Sequence, residues 1–250
     1  MMSEASQTLD GWYCLHDFRH FNWHAWKQVP SEERDQMVNE FHRMIEGFQQ
    51  VEEAEQGSHA LYTIVGQKAD FVIMVLRETM KEIHDIELAF DKSGLAAYTT
   101  PAYSYVSIVE LGNYMPPEDG SDPLDNAWIR GRIYPILPKW EHFCFYPMDK
   151  KREGEDNWYS LPIDKRRELM KAHGMTGRQY AGKVKQIITG STGLDDWEWG
   201  VTLFAHDALQ FKKLVYEMRF DEVSARYGDF GAFYVGNILE PEKIQAYFSV

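Results

Sequence analysis

His173 and Tyr146 are the residues whose type and setting first suggest chemistry. A helix starting near Asp164, after Pro162, would put Leu169, Met170 and His173 on one stripe, because they stand three and four residues apart. An imidazole there points to the core side, and Gly174 beside it leaves little bulk to crowd a ligand. Such a ring is a hydrogen-bonded core residue or an axial ligand for haem iron. Tyr146 ends an apolar strand over residues 140–146 and enters Pro147-Met148-Asp149-Lys150-Lys151-Arg152. The proline is expected to stop the strand's ladder and open a loop. A phenol at a strand end beside three cations suits carboxylate recognition, and a nearby cation would lower its proton affinity. A surface turn with solvated lysines fits the same letters.

Other groupings say less. His16, His20 and His24 recur every four residues, but aromatic residues interleave them and no HExxH partners them. A strand edge and loop with solvent-facing imidazoles explains them as well as a metal site does. His142 and Cys144 share one strand face with Tyr146 by alternation, which is a thin basis for a metal. Thr189-Gly190-Ser191-Thr192-Gly193 lacks the P-loop lysine, and no GxSxG, CxxC or dinucleotide fingerprint occurs.

The elements that must position these residues follow a repeated order. The first half reads as a strand (11–18), a helix from a Ser31 N-cap with an apolar stripe of Met37, Phe41, Met44, Ile45 and Phe48, and two strands (60–65, 70–76) around Gly66-Gln67-Lys68. A second helix (79–90) and a strand (102–111) complete it. The second half reads as a strand (140–146), a helix (from 164), two strands (185–189, 197–205), a helix (207–219) and a closing strand (231–239). A β-α-β-β-α-β unit used twice is a tandem ferredoxin-like arrangement. Its parts are residues 1–112, a Pro-rich connector at 113–139, and residues 140–250. The connector holds Pro116, Pro117, Pro123, Pro135 and Pro138. The unbroken apolar run Phe71–Leu76 implies burial on two faces. Such a layout leaves a cavity between a sheet and its helices, where a flat apolar ligand could lie.

Composition sets outer limits. The chain carries 26 Lys and Arg against 39 Asp and Glu, a net charge of −13, which argues against a general nucleic-acid binder. Residues 130–190 nevertheless hold 13 Lys and Arg against 7 Asp and Glu, a field suited to a small polyanion or a solvated helix face. No run is apolar enough to span a membrane, and Met1 to Asp10 lacks the pattern of a secretory signal. Two cysteines, Cys14 and Cys144, fit a reducing compartment.

Phe143-Cys144-Phe145-Tyr146-Pro147-Met148-Asp149-Lys150-Lys151-Arg152, with Trp158-Tyr159, Lys171-Ala172-His173-Gly174 and Met218-Arg219-Phe220, resembles the coproheme decarboxylase family. These hydrogen-peroxide-dependent haem synthases belong to the chlorite dismutase-like superfamily. The resemblance covers nearly the whole chain. It implies an α+β fold of tandem ferredoxin-like repeats forming a dimeric α+β barrel within one chain. It also implies the last step of coproporphyrin-dependent haem biosynthesis. There, two propionates of Fe-coproporphyrin III (coproheme) become vinyl groups with hydrogen peroxide, giving haem b.

Residue by residue, the resemblance makes His173 the iron ligand, Tyr146 the catalytic radical tyrosine and Lys150 the lysine that contacts a propionate and handles protons. Arg132, Gln186, Arg219 and Ser224 would bind the substrate, and the stretch Tyr146, Pro147, Met148, Asp149 and Lys150 would line it. Asp149 departs from the motif, where serine is commoner; an anion beside Lys150 would weaken propionate binding unless it points out. Gln186 stands where true chlorite dismutases use a distal arginine, which weakens the chlorite-dismutating reading. A homopentamer, a transient contact with ferrochelatase and a cytoplasmic location are further implications. A non-catalytic haem carrier or sensor, or a chlorite dismutase-like haem peroxidase, are the alternatives.

Overall fold

The structure is a computed structural model that describes residues 4–112 and 121–250. Pro116, Pro117 and the rest of 113–120 in the expected connector, and residues 1–3 of the N-terminus, lie outside the described residues. In chain order the elements are β1 (Thr8–Phe21), α1 (Trp23–Trp26), α2 (Ser31–Glu53), β2 (Gly57–Val65), β3 (Phe71–Arg77), α3 (Met80–Asp91) and β4 (Thr99–Gly112). They continue with α4 (Ala127–Ile133), β5 (His142–Lys150), β6 (Arg152–Glu153), β7 (Asp156–Asn157), α5 (Ile163–Arg178), β8 (Val184–Gly190) and β9 (Trp199–Ala205). The chain ends with α6 (Leu209–Met218), α7 (Glu222–Tyr227), β10 (Gly228–Phe230), β11 (Tyr234–Ile238) and α8 (Ile244–Phe248). This is a mixed α+β fold whose strands pair antiparallel.

Two compact units are present. One holds residues 12–106, 134–139 and 234–250; the other holds residues 107–112, 121–133 and 140–233 together with the N-terminal stretch up to Gly11. β1 and β4 each contribute to both.

In the first unit the strands run β11-β2-β3-β1. Every residue of β3 is buried, as its unbroken apolar run predicts. The β2–β3 turn uses Gly66 at φ 91° and Gln67 at φ 62°, left-handed backbone that a tight reversal requires. α2 lays Val38, Phe41, Ile45 and Phe48 onto a core with Trp26, Phe71, Phe90 and Phe248. Ser31 is not its N-cap. Pro30 holds that place without a side-chain bond, and Glu32 and Glu33 meet the positive end of the helix instead. Thr79 does cap α3, in a reciprocal box with Glu82.

The expectation of solvent-facing histidines fails at His16. It lies on β1 in the core and is fully buried, and desolvation lowers its pKa to about 3. Its ring stacks on Phe18 at 6.4 Å and meets Tyr105 edge-on at 6.3 Å. His24 falls on α1, off the strand that carries His16 and His20, so the three share no helix.

In the second unit the order is β10-β5-β9-β8-β4. Here the sequence reading of Pro147 needs correction. β5 does not stop at Tyr146 but runs to Lys150, and Pro147 stands opposite Gly200 of β9. A strand residue points its N–H and C=O to the same side. The Pro147 carbonyl accepts from Gly231 N at 2.9 Å, so its missing donor falls on the β10 side and spares the ladder to β9. β10 ends at Phe230, opposite Met148, one position short of the proline. The connector is likewise not all link: α4 occupies it and carries Arg132. α5 packs on α6 and α7, with Leu169 joining Trp158, Val223 and Tyr227 in a small buried cluster.

Candidate functional site

The second unit encloses a cavity of about 1020 Å³ between its sheet and its helices. That is the upper end of the usual size of a ligand pocket. Strand alternation builds the floor. Tyr146, Met148 and Lys150 come from β5, Trp199 and Val201 from β9, Gln186, Ile188 and Gly190 from β8, and Ile108 and Glu110 from β4. Register aligns them in rows: Met148 opposite Trp199, Trp199 opposite Gly190, Gly190 opposite Ile108. A Cβ at Gly190 would fall on the carboxylate of Glu110, so glycine is what lets Glu110 lean over and accept from Trp199 Nε1 at 2.9 Å. The opposite wall is helical, with Arg166, Met170 and His173 on α5, Leu214, Val215 and Met218 on α6, and Ser224 on α7.

Eight of the ten residues singled out from sequence line this one cavity: Arg132, Tyr146, Met148, Lys150, His173, Gln186, Arg219 and Ser224. Pro147 and Asp149 do not, because alternation turns them to the other face of β5. Asp149 accepts from Glu198 N at 2.7 Å, and Glu198 in turn accepts from Lys150 N at 2.9 Å. The anion that departs from the motif therefore points away from the cavity.

His173 is oriented by a carboxylate. Its Nδ1 lies 3.1 and 3.2 Å from the two oxygens of Asp221. Asp221 is itself fixed as the N-cap of α7, accepting from Val223 N at 3.0 Å and Ser224 N at 3.2 Å. With Nδ1–H donated to Asp221, the Nε2 lone pair is left for a metal. Burial lowers the imidazole's pKa, Asp221 opposes this, and the Lys150 charge adds to the lowering, so the ring is neutral and able to ligate.

Tyr146 is buried, with its ring stacked on Phe233 at 4.4 Å and near Phe230 at 6.0 Å. The expected fall in its proton affinity does not occur. Burial pushes the phenol well above its ordinary value and Arg219 offsets this only in part. The Arg219 guanidinium instead lies 3.6 Å over the Phe230 ring. Lys150 is also buried. Desolvation lowers its pKa to about 8 against the pull of Asp221 and Glu198, and its ammonium sits 5.1 Å over Trp158. Arg132 brings a guanidinium whose buried Nε has no hydrogen-bond partner among the described residues.

Three features escaped the sequence reading. Asp221 heads a helix with Glu222 in its first turn, an N-cap signal that was legible but not connected to His173. Arg166 was hidden in the run Lys165-Arg166-Arg167. Trp199 and Glu110 sit on strands whose facing could not be known without the register.

An antiparallel sheet and three helices thus surround an apolar, cation-rimmed cavity that holds one carboxylate-oriented imidazole. A profile of the chlorite dismutase family matches residues 34–239, and the chain belongs to that family. It is 45% identical to a protein of Thermus thermophilus described as a novel haem-binding protein, over 99% of this chain and 98% of that one, with a TM-score of 0.93. A mutant chlorite dismutase from Candidatus Nitrospira defluvii shares the fold at 19% identity, over 96% of both chains, with a TM-score of 0.76.

Proposed function

We propose that this protein is a hydrogen-peroxide-dependent coproheme decarboxylase that converts two propionates of Fe-coproporphyrin III into vinyl groups, yielding haem b. The observation that carries the reading is the pairing, in one cavity, of Tyr146 on the sheet wall with an Asp221-oriented His173 on the helix wall. Cations accompany the pair, among them buried Lys150 and half-buried Arg132, whose Nε is unpaired among the described residues. A macrocycle with four carboxylates answers each feature: flat apolar area for Met148, Ile188 and Val201, an iron for His173, and anions for Arg132, Lys150 and Arg219.

The residues divide the work. His173 holds the iron through Nε2, and Asp221 fixes its tautomer. Arg132, Lys150, Arg219 and Ser224 hold carboxylates and set which side arm meets the phenol. The iron of the substrate supplies oxidising power when peroxide reaches it. Tyr146 gives up an electron and a proton together, and its phenoxyl oxygen then takes a hydrogen atom from the β-carbon of a propionate. Loss of a second electron expels carbon dioxide and leaves a vinyl group. Overall each propionate anion, one hydrogen peroxide and one proton give one vinyl group, one carbon dioxide and two waters. The high proton affinity of the buried phenol keeps it neutral, so electron and proton must leave as a pair. Lys150, with its pKa lowered to about 8, is placed to pass that proton near neutrality. Gln186 brings a neutral amide to the wall and no fixed cation for an oxychlorine intermediate.

In this reading residues 1–112 and 140–250 are the two ferredoxin-like copies and 113–139 joins them. A homopentamer, handover of coproheme from ferrochelatase and a cytoplasmic setting complete the proposal.

The test adds ferric coproheme and then titrates peroxide, with products separated by chromatography. Stepwise conversion to haem b is expected. Tyr146→Phe should keep the Soret shift on binding but lose turnover by at least about two orders of magnitude, the scale of removing a positioned proton-transfer group. Unchanged coproheme would leave the carrier reading. Full turnover in Tyr146→Phe would remove the radical role.

A further inference from the structure

Arg166 stands among three consecutive cations, yet it behaves unlike its neighbours. Arg167 is exposed and pairs within its own turn with Asp164, and Lys165 pairs with Glu168. Arg166 is only 6% exposed and turns into the cavity wall. One arm of its guanidinium, Nη2, donates to the backbone carbonyl of Glu4. Among the described residues its buried Nε makes no hydrogen bond, and no carboxylate pairs with the group.

A buried guanidinium without a counter-ion is costly, and a buried donor left without an acceptor adds to that cost. Arg132 shows the same orphaned Nε in the same cavity. Position gives the orphaned donor a meaning. Arg166, Met170 and His173 follow one another at four and three residues, so they share one face of α5, and all three line the cavity. Arg166 stands about 10.5 Å along the helix axis from His173. That is the scale of the distance from the centre of a porphyrin to the end of its carboxylate side arms. The segment that Arg166 holds by Glu4 also lines the cavity, through Ala5, Ser6, Thr8 and Asp10.

We propose that Arg166 is a carboxylate-binding residue of this site. It grips a side arm of the macrocycle from the helix wall with its free edge, while its other arm keeps the N-terminal segment over the ligand. This rests on the reading of the cavity as a coproheme site, and it adds a contact and a consequence. Occupancy completes the partners of Arg166, and an ordered Arg166 holds Glu4–Asp10 in place. Lysine cannot do both, since it lacks the planar fork that serves two acceptors at once.

The experiment compares two ferric probes by Soret titration, coproheme with four carboxylates and its tetramethyl ester with none. Arg166→Met should weaken coproheme about tenfold to a hundredfold, the range of a lost charge-assisted hydrogen bond, and leave the ester unchanged. Arg166→Lys should recover part of the affinity. Hydrogen exchange of the amides of residues 4–10 should slow when coproheme binds the native protein, and should not slow in Arg166→Met. Equal weakening of both probes, or native affinity for coproheme in Arg166→Met, would overturn the proposal, as would slowed exchange in that variant. The two readings fail separately. Peroxide leaving coproheme intact sinks the decarboxylase and spares Arg166; native affinity in Arg166→Met sinks only the latter.

Discussion

At the scale of single residues, burial sets the chemistry more than charge does. Tyr146 and Lys150 lie on one strand face two turns of the pleat apart, beside Arg219, Asp221 and Glu198. Neighbouring charges pull in both directions, and desolvation is the largest influence on each group. For Lys150 this has a measurable sign. A carboxylate side arm binds the ammonium form, and the free protein loses that form as pH rises through about 8. Affinity for iron-free coproporphyrin should therefore hold between about pH 6 and 7 and fall by up to tenfold per unit above about 8, one proton being linked to binding. The iron-free ligand removes any titration at the metal. In Lys150→Met the affinity should be lower below pH 8 and flat across the range. A native profile that stays flat to pH 9, or an equal slope in the variant, would show that Lys150 takes no part.

At the scale of elements, the site depends on short pieces wedged at close range. Gly11 lets β1 pass α4 so closely that a Cβ there would fall on the backbone carbonyl of Ile133. α4 carries Arg132. Gly11→Ala must push the backbone of α4 away, because a carbonyl cannot rotate aside as a side-chain tip can. Overpacking of this kind costs about 1–3 kcal/mol, or roughly 3–10 °C in Tm at this chain length. Coproheme affinity should fall with it. Gly47 lies in α2 with open space around its Cβ position, so Gly47→Ala should stabilise by about 0.5–1 kcal/mol and leave affinity alone. A neutral Gly11→Ala in thermal melts would mean that α4 is free to move.

The same elements show what the sequence could tell. Long periodic segments were legible: the stripe Phe41, Ile45, Phe48 on α2 and the apolar run of β3. The face that brings Tyr146, Met148 and Lys150 together was not, because the strand was expected to end at Tyr146. α7 and β10 were not, since six and three residues are too few to show a period. Pro147 misled because a proline's effect depends on which side of the strand its missing donor falls, and that is a property of register. Arg166 was illegible for a related reason. Nothing local separates it from Lys165 and Arg167; only the direction of one helix face does.

At the scale of the whole molecule, two fields compete for an anionic ligand. The chain carries a net charge of −13, while residues 130–190 hold 13 Lys and Arg against 7 Asp and Glu. Range decides between them. The Debye length is about 30 Å at 0.01 M salt and about 10 Å at 0.1 M, so at low salt an approaching macrocycle with four carboxylates feels the net negative charge first. Inside the cavity it meets Arg132 and Lys150 at contact distance, where screening acts far less. Salt should therefore speed capture, the reverse of what a basic binding protein shows. Stopped-flow association of ferric coproheme should rise severalfold between about 10 and 150 mM sodium chloride, with dissociation changing much less. The tetramethyl ester, lacking charge on its side arms, should associate at a rate nearly independent of salt. An association rate for coproheme that falls with salt would mean that the basic segment already governs the field outside the cavity, and that the acidic remainder of the chain lies too far from the entrance to matter.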